Sequence, residues 1–283
     1  MSDVVAEPQF PAQYRATLKQ ALSDHGLDGA RTFIAGFTEP RQRAQLWRLA
    51  ASIASHDLRP FLDKAAAAEQ PPWWTLDQLA ELYQAGIDEA LFIMDGATNA
   101  PEDAHWFKQA ANILSYNLAA DLAPCWPGDD QPREVRHYEL GVATMRRAIR
   151  WRIELSKPAE NMALAYWALG IHLLGLGEHA DSVDAFNRAL DYSRVAASEY
   201  GRKAEVSADG DWSVVLNSGF LGLARALGGD DSGTERYGAS LLAFKAMGED
   251  HPDLASDAKL GVDQLEKSAR VFGLKAEEPP TPQ

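Results

Sequence analysis

Cysteine, cationic side chains and long apolar runs are all scarce in this chain, and each scarcity excludes something. One cysteine, Cys125, in 283 residues permits neither an internal disulfide nor a cysteine cage for a metal. Lysine and arginine number 27 against 41 acidic residues, a net charge of −14. That balance argues against a nucleic-acid binder, which gains affinity as Lys and Arg displace counterions from phosphate. No run of about 18 apolar residues is present, so no membrane-spanning helix is expected. The opening MSDVVAEPQF lacks the basic flank and apolar stretch of a signal peptide, which implies a cytoplasmic protein. Familiar catalytic strings are missing as well: there is no H-E-x-x-H, G-x-S-x-G, Walker loop or G-x-G-x-x-G.

What is present is helical. Alternating runs of β-branched and aromatic residues are absent, while Ala, Leu, Glu, Arg and Gln, the strong helix formers, recur throughout. Thr75 followed by Gln78 reads as a capping box. Pro101, Pro132, Pro158 and Pro252 stand where helices would open, and Gly96, Gly177, Gly201, Gly228 and Gly273 each follow a periodic run, as C-caps do. The pattern predicts an all-α chain with helices at about 11–25, 39–57, 59–70, 75–95, 101–122, 132–157, 158–176, 179–200, 210–227, 232–248 and 252–272. A short helical turn is expected within 26–38.

Residues 165–194, AYWALGIHLLGLGEHADSVDAFNRALDYSR, resemble a tetratricopeptide repeat. Tyr166 takes the aromatic position, Leu169-Gly170 the leucine-glycine pair, Leu173 the next turn, and Gly177 the inter-helix turn. Ser182, Phe186 and Ala189 fill the small, aromatic and small positions of the second helix. Arg194 replaces the usual proline, so that helix should run on to Tyr200. Gly222 and Gly229 repeat the separation of Gly170 and Gly177, and Gly141, Met145 and Ala148 echo the second-helix spacing. The resemblance implies antiparallel helix pairs stacked as a right-handed superhelix over 101–272, with Leu254, Ala258, Leu265, Ala269 and Phe272 on the apolar stripe of a capping helix. A flexible N-terminus at 1–10, a helical region at 11–95 and a disordered tail at 273–283 complete the expected organisation.

Several constellations could carry chemistry. Glu102 with His105, and Glu134 with His137, form two E-x-x-H pairs of the kind that hold di-iron sites. Each pair opens its helix, and antiparallel neighbours would place the openings about 30 Å apart, so no metal is expected there. Asp129-Asp130 and Asp230-Asp231 read as solvated turns, and Glu178-His179 as a solvated inter-helix turn. Cys125, between Pro124 and Trp126 with no nearby histidine, reads as an inert thiol. The helix at 132–157 gathers Arg133, Arg136, Arg146, Arg147, Arg150, Arg152 and Lys157, either for an acidic ligand or for pairing with its own neighbours.

The implied superhelix has a concave face lined by the first helix of each pair. Lys108, Asn112 and Tyr116 lie four apart, off the core stripe Phe107, Ala111, Leu114 and Leu118. Trp167 and Ile171 lie off the stripe Met162, Tyr166, Leu169 and Leu173. These five residues form the candidate peptide-binding groove, with Trp167 and Ile171 as apolar anchors and Asn112 and Tyr116 as hydrogen-bonders. Trp167 and Ile171 depart from the Lys, Asn and Arg set with which such repeats grip a terminal carboxylate. The expected function is a non-enzymatic protein- or peptide-binding scaffold without cofactor or metal. Its partner would be a protein or peptide, not nucleic acid or membrane, and assembly as a homo-oligomer through the apolar faces is a third reading. The alternative is an all-α enzyme or small-molecule-binding protein, with a pocket between the N-terminal helices and the repeats lined by His105, Asn112 and Tyr116.

Overall fold

The computed structural model describes residues 12–58, 74–97 and 100–274. Among these the protein is all-α, with ten α-helices and no strand, as the sequence predicts. The helices are α1 (Ala12–Ala35), α2 (Pro40–Leu58), α3 (Leu76–Gly96), α4 (Pro101–Leu122), α5 (Val135–Glu154), α6 (Ala159–Gly175), α7 (His179–Glu199), α8 (Trp212–Leu227), α9 (Ser232–Asp250) and α10 (Ala255–Phe272), the last preceded by a 3-10 turn at Pro252–Leu254. The helix expected at 59–70, the N-terminus at 1–10 and the tail from 275 lie outside the described residues. Two compact units partition the chain. One holds the described residues up to Leu122 together with Ala143–Lys157; the other holds Ala123–Val142 and the described residues from Pro158 onward.

In the first unit α1 departs from a simple helix. Gly26 takes φ 57 and ψ −136, a non-helical conformation that breaks the helix in two. Tyr14 then lies edge-on to Phe33 at 6.4 Å and to Phe37 at 5.3 Å. A straight helix would separate Tyr14 from Phe33 by about 28 Å, so the chain folds back on itself at this glycine. The segment expected to hold one turn is thus helical as far as Ala35. The capping box forms as predicted: the Gln78 N–H donates to Thr75 Oγ1 at 3.2 Å, and the Thr75 N–H donates to Gln78 Oε1 at 2.9 Å. Gly96 is the last residue of α3 and Ala97 its cap. Helices α2, α3 and α4 meet where Gly86 faces Trp47 and Leu114, whose side-chain atoms lie 2.9 and 3.1 Å from where its Cβ would be. The predicted core stripe Phe107, Ala111, Leu114 and Leu118 of α4 is buried.

In the second unit α6 and α7 pack as a pair across a three-residue turn. Gly177, at φ 74, makes that turn possible. Its own N–H donates to the Leu174 carbonyl and that of Glu178 to the Leu173 carbonyl, both at 3.0 Å, so orphan carbonyls of α6 are satisfied. In the first unit Ser156 closes α5 with the same bonding in the left-handed region, at φ 49, without being glycine. The close approach of α6 and α7 falls at Gly170: a Cβ there would stand 2.8 Å from the Phe186 ring. Ser182 Oγ donates to the Gly170 carbonyl at 2.9 Å, and Tyr166 stacks on Tyr192 with ring centroids 5.8 Å apart. Helix α7 runs on to Glu199 through Arg194, as expected. Gly222 occupies the corresponding place between α8 and α9, its missing Cβ 2.5 Å from the Tyr237 nitrogen.

Three expectations need correction. Helix α5 begins at Val135, not at Pro132, because the preceding residues are held in a side-chain knot described below. Asp129 is no solvated turn residue, being 6% exposed. On α10, Lys267 joins Ala258, Leu265 and Ala269 among the buried residues, while Leu254 sits outside the helix and is exposed.

Overpacking at Gly170 should be costly because Phe186 has nowhere to go: its ring is fully buried and stacked 5.4 Å from Phe220. Gly170→Leu is expected to lose at least about 1–3 kcal/mol in urea unfolding. Gly238→Ala, in α9 with open space around the new Cβ, should gain up to about 1 kcal/mol from helix propensity. Equal effects of the two would refute the packing account.

Candidate functional site

The five groove candidates divide between the units. Lys108, Asn112 and Tyr116 do form a stripe on α4, but it faces the C-terminal half of α5. Lys108 Nζ pairs with Glu154 at 2.6 Å. Asn112 is 3% exposed and its Oδ1 accepts from Arg152 Nε at 3.2 Å. The Arg152 guanidinium lies 4.7 Å from the centroid of the Tyr116 ring. Burial pulls the Arg152 pKa down to about 10, which still leaves it charged at neutral pH. The stripe therefore supplies polar contacts to a buried cation of its own chain.

Trp167 and Ile171 belong to the other unit and are core residues. Ile171 is fully buried, and Trp167 is 4% exposed between the edges of Trp126 and Phe220, at 6.3 and 6.2 Å. The reason is visible in α6 as a whole. Residues Met162–Leu174 are buried at nearly every position, so α6 has no outward stripe to offer a ligand. The Trp167 Nε1 has no hydrogen-bond partner and no exposure, a cost accepted inside this apolar packing.

The basic helix resolves in part into internal pairing, with Arg136 among its exposed cations. The side chain of Arg133, just ahead of α5, is 1% exposed and grips Asp129 with both guanidinium nitrogens, at 2.8 and 2.6 Å. It also donates to the carbonyls of Gln131 and Ala123. Lys267 of α10 reaches the same loop, donating to the Trp126 carbonyl at 2.8 Å and to that of Asp129. Sequence reading missed this knot. Its local signal was the spacing Asp129 to Arg133 around Pro132; the Lys267 contact, 138 residues away, had none. Arg147 lies 5.1 Å from the Trp151 ring, its pKa lowered by burial and raised in part by Asp88. Arg146 and Arg150 remain exposed.

The E-x-x-H pairs have local explanations. Glu102 and His105 are both exposed in the first turns of α4. His137 is buried, and its Nδ1 accepts the Glu134 N–H at 3.0 Å. Among the described residues no group of three or more His, Cys, Asp or Glu could hold a metal. Cys125 is fully buried. No helix among those residues is long and apolar enough to cross a membrane.

The described residues of the first unit form at least two concavities. One, of about 400 Å³, is lined by charge: Arg31, Arg43, Asp88 and Glu89, beside Trp47. Arg43 Nε and Trp47 Nε1 both donate to the Glu89 carboxylate, so much of its polarity is spent internally. The other, of about 540 Å³, opens between the start of α2, the end of α3 and the start of α4. Its apolar lining includes Pro40, Phe92, Ile93, Ala97, Ala100 and Phe107, with Glu39, Asp95 and Asp103 around it. Phe107 forms the buried floor at 2% exposure, whereas Phe92 stands 79% exposed. Phe92 is the candidate residue that the sequence reading did not single out.

Two substitutions test these placements. Asp129→Ala should cost about 3–5 kcal/mol by stranding the buried Arg133 charge, and adding Arg133→Met should recover part of the loss. Trp167→Ala should cost about 3–5 kcal/mol in the same unfolding measurement, because it empties core. A loss below about 1 kcal/mol for Trp167→Ala would return that side chain to the surface.

No family model, no curated protein and no solved structure matches this chain.

Proposed function

We propose that this protein is a non-enzymatic protein- or peptide-binding scaffold, built of helix pairs similar to tetratricopeptide repeats stacked as a right-handed superhelix. The repeat reading is supported by Gly170 against Phe186, the Ser182 bond to the Gly170 carbonyl, and the left-handed Gly177 between the paired helices. Gly222 and Gly229 fill the same two roles in α8 and α9. The binding reading rests on one observation: Phe92, 79% exposed, overhangs an apolar groove. Burying a phenylalanine is worth about 1.5–3 kcal/mol, so a partner that covers this ring gains affinity from it. The ligand surface is thus moved from Trp167 and Ile171, which are core, to the α2–α3–α4 end of the first unit.

A second reading, a small-molecule-binding protein or enzyme, has the charged concavity at Arg31, Arg43, Asp88 and Glu89 in its favour. It is the weaker one, because Glu89 already satisfies Arg43 and Trp47.

A photoreactive phenylalanine analogue at position 92 separates the readings. It should trap a discrete protein partner in cells, while the same analogue at Leu242, 68% exposed on α9, should not. Trapping at both positions, or at neither, would sink the scaffold reading. Phe92→Ser should leave folding stability within about 0.5 kcal/mol, as an exposed site allows.

A further inference from the structure

The groove at the α2–α3–α4 end carries a charge pattern that selects among apolar partners. Three carboxylates surround it, and two are accounted for by the chain. Glu39 caps the start of α2, its oxygens accepting the N–H groups of Arg41 and Gln42 at 2.9 and 2.5 Å. Asp103 lies in the first turn of α4, where the helix dipole favours an acid, and it pairs with Arg41 at 2.6 Å. Arg41 is further held 5.5 Å from the Trp106 ring centroid. The cation on this rim is therefore already engaged.

Asp95 is placed the other way. It sits in the last turn of α3, where the helix dipole is itself negative, and that turn contains no basic residue. An acid at a helix C-terminus adds to the negative potential instead of offsetting it. Phe92 lies three residues before Asp95, about one turn along the same helix. Acid and exposed ring thus stand side by side at the mouth of the groove.

We propose that this groove takes a basic amphipathic helix of a partner protein, its apolar stripe against Phe92 and the Phe107 floor, and a Lys or Arg at Asp95. The proposal rests on the protein-binding reading and specifies the partner's chemistry. A helix presents apolar side chains at i, i+3, i+4 and i+7, which suits a short groove of about 540 Å³, and its flanking cation would supply the charge that the end of α3 lacks. An acidic amphipathic helix would meet Asp95 and the α3 C-terminus with repulsion.

The test uses the full chain and two synthetic helical peptides sharing one leucine stripe, the first with lysines and the second with glutamates on the polar face. Fluorescence anisotropy should show the lysine peptide binding at least about tenfold tighter. Phe92→Ser should weaken it about thirtyfold, the loss expected of a central aromatic anchor. Asp95→Lys should weaken the lysine peptide and strengthen the glutamate peptide, whereas the same charge change at the exposed Asp253 of the 3-10 turn should do neither. Equal responses to Asp95→Lys and Asp253→Lys would reduce the binding to net charge and overturn the proposal. So would insensitivity to Phe92→Ser. Concentration-dependent dimerisation in ultracentrifugation, abolished by Phe92→Ser, would assign the groove to a second copy instead. If position 92 traps a protein but the peptides do not discriminate, the partner chemistry is wrong and the scaffold reading stands; if it traps none, the scaffold reading fails as well.

Discussion

Close helix approach at missing side chains is the constraint on which each unit depends. With no sheet among the described residues, helices must bury their apolar faces against each other, and the approach distance is set by what stands between the axes. At Gly170 the Phe186 ring occupies the space of a Cβ, and at Gly222 the α9 backbone does so. Gly86 does the same for Trp47 in the first unit. Large rings can then be fully buried: Phe186, Phe220 and Phe244 are all below 2% exposure. Because these sites admit nothing larger, they also fix which neighbours each helix can have.

Charge is handled by a second rule, that a cation leaves water only with its acceptors in place. Arg133 brings the Asp129 carboxylate and two carbonyls, Lys267 takes carbonyls of the same loop, and Arg152 has Asn112 and the Tyr116 face. The knot around Asp129 explains why the long connection at 123–134 is ordered without secondary structure, and why α5 starts late. A chain with a net charge of −14 has cations to spare for few tasks. Among the described residues Arg133, Arg152 and Lys267 are committed to holding buried structure in this way. Of the seven cations read from sequence at 132–157, Arg133 and Arg152 are committed in this way, while Arg136, Arg146 and Arg150 lie on the surface.

Local features were legible in the sequence because their causes are local. The all-α class, the Thr75–Gln78 box, the Gly177 turn and the extension of α7 through Arg194 each follow from residues within a few positions. So does the core stripe of α4. What could not be read locally is which face of a helix meets a neighbour. Asn112 and Tyr116 were placed on the correct stripe of α4, but the sequence does not say that Arg152, 40 residues on, covers it. The reversal of α1 was equally hidden, since Gly26 interrupts a helix in either case and only Tyr14 against Phe33 shows the chain folding back.

The misreading of α6 and the oversight at α3 have one physical origin, and it corrects both. Successive residues on a helix point about 100° apart, so four consecutive apolar residues encircle it. In α6 the run AYWALGIHLL is apolar all round, and a helix of that kind belongs in a core; dividing it into an inward and an outward stripe assumed an outward face that does not exist. In α3 the run Leu91-Phe92-Ile93-Met94 likewise encircles the axis, but this helix keeps polar residues elsewhere along its length and is not buried all round. Its buried stripe, Leu79, Leu82, Tyr83, Gly86, Ile87 and Ala90, continues in Leu91, Ile93 and Met94, which are half-buried against the cluster of Ala44, Phe107 and Trp151. Phe92 is the residue that the stripe leaves over. An apolar run that outgrows its helix's buried face must put a side chain in water, and at the end of α3 that side chain is Phe92, 79% exposed.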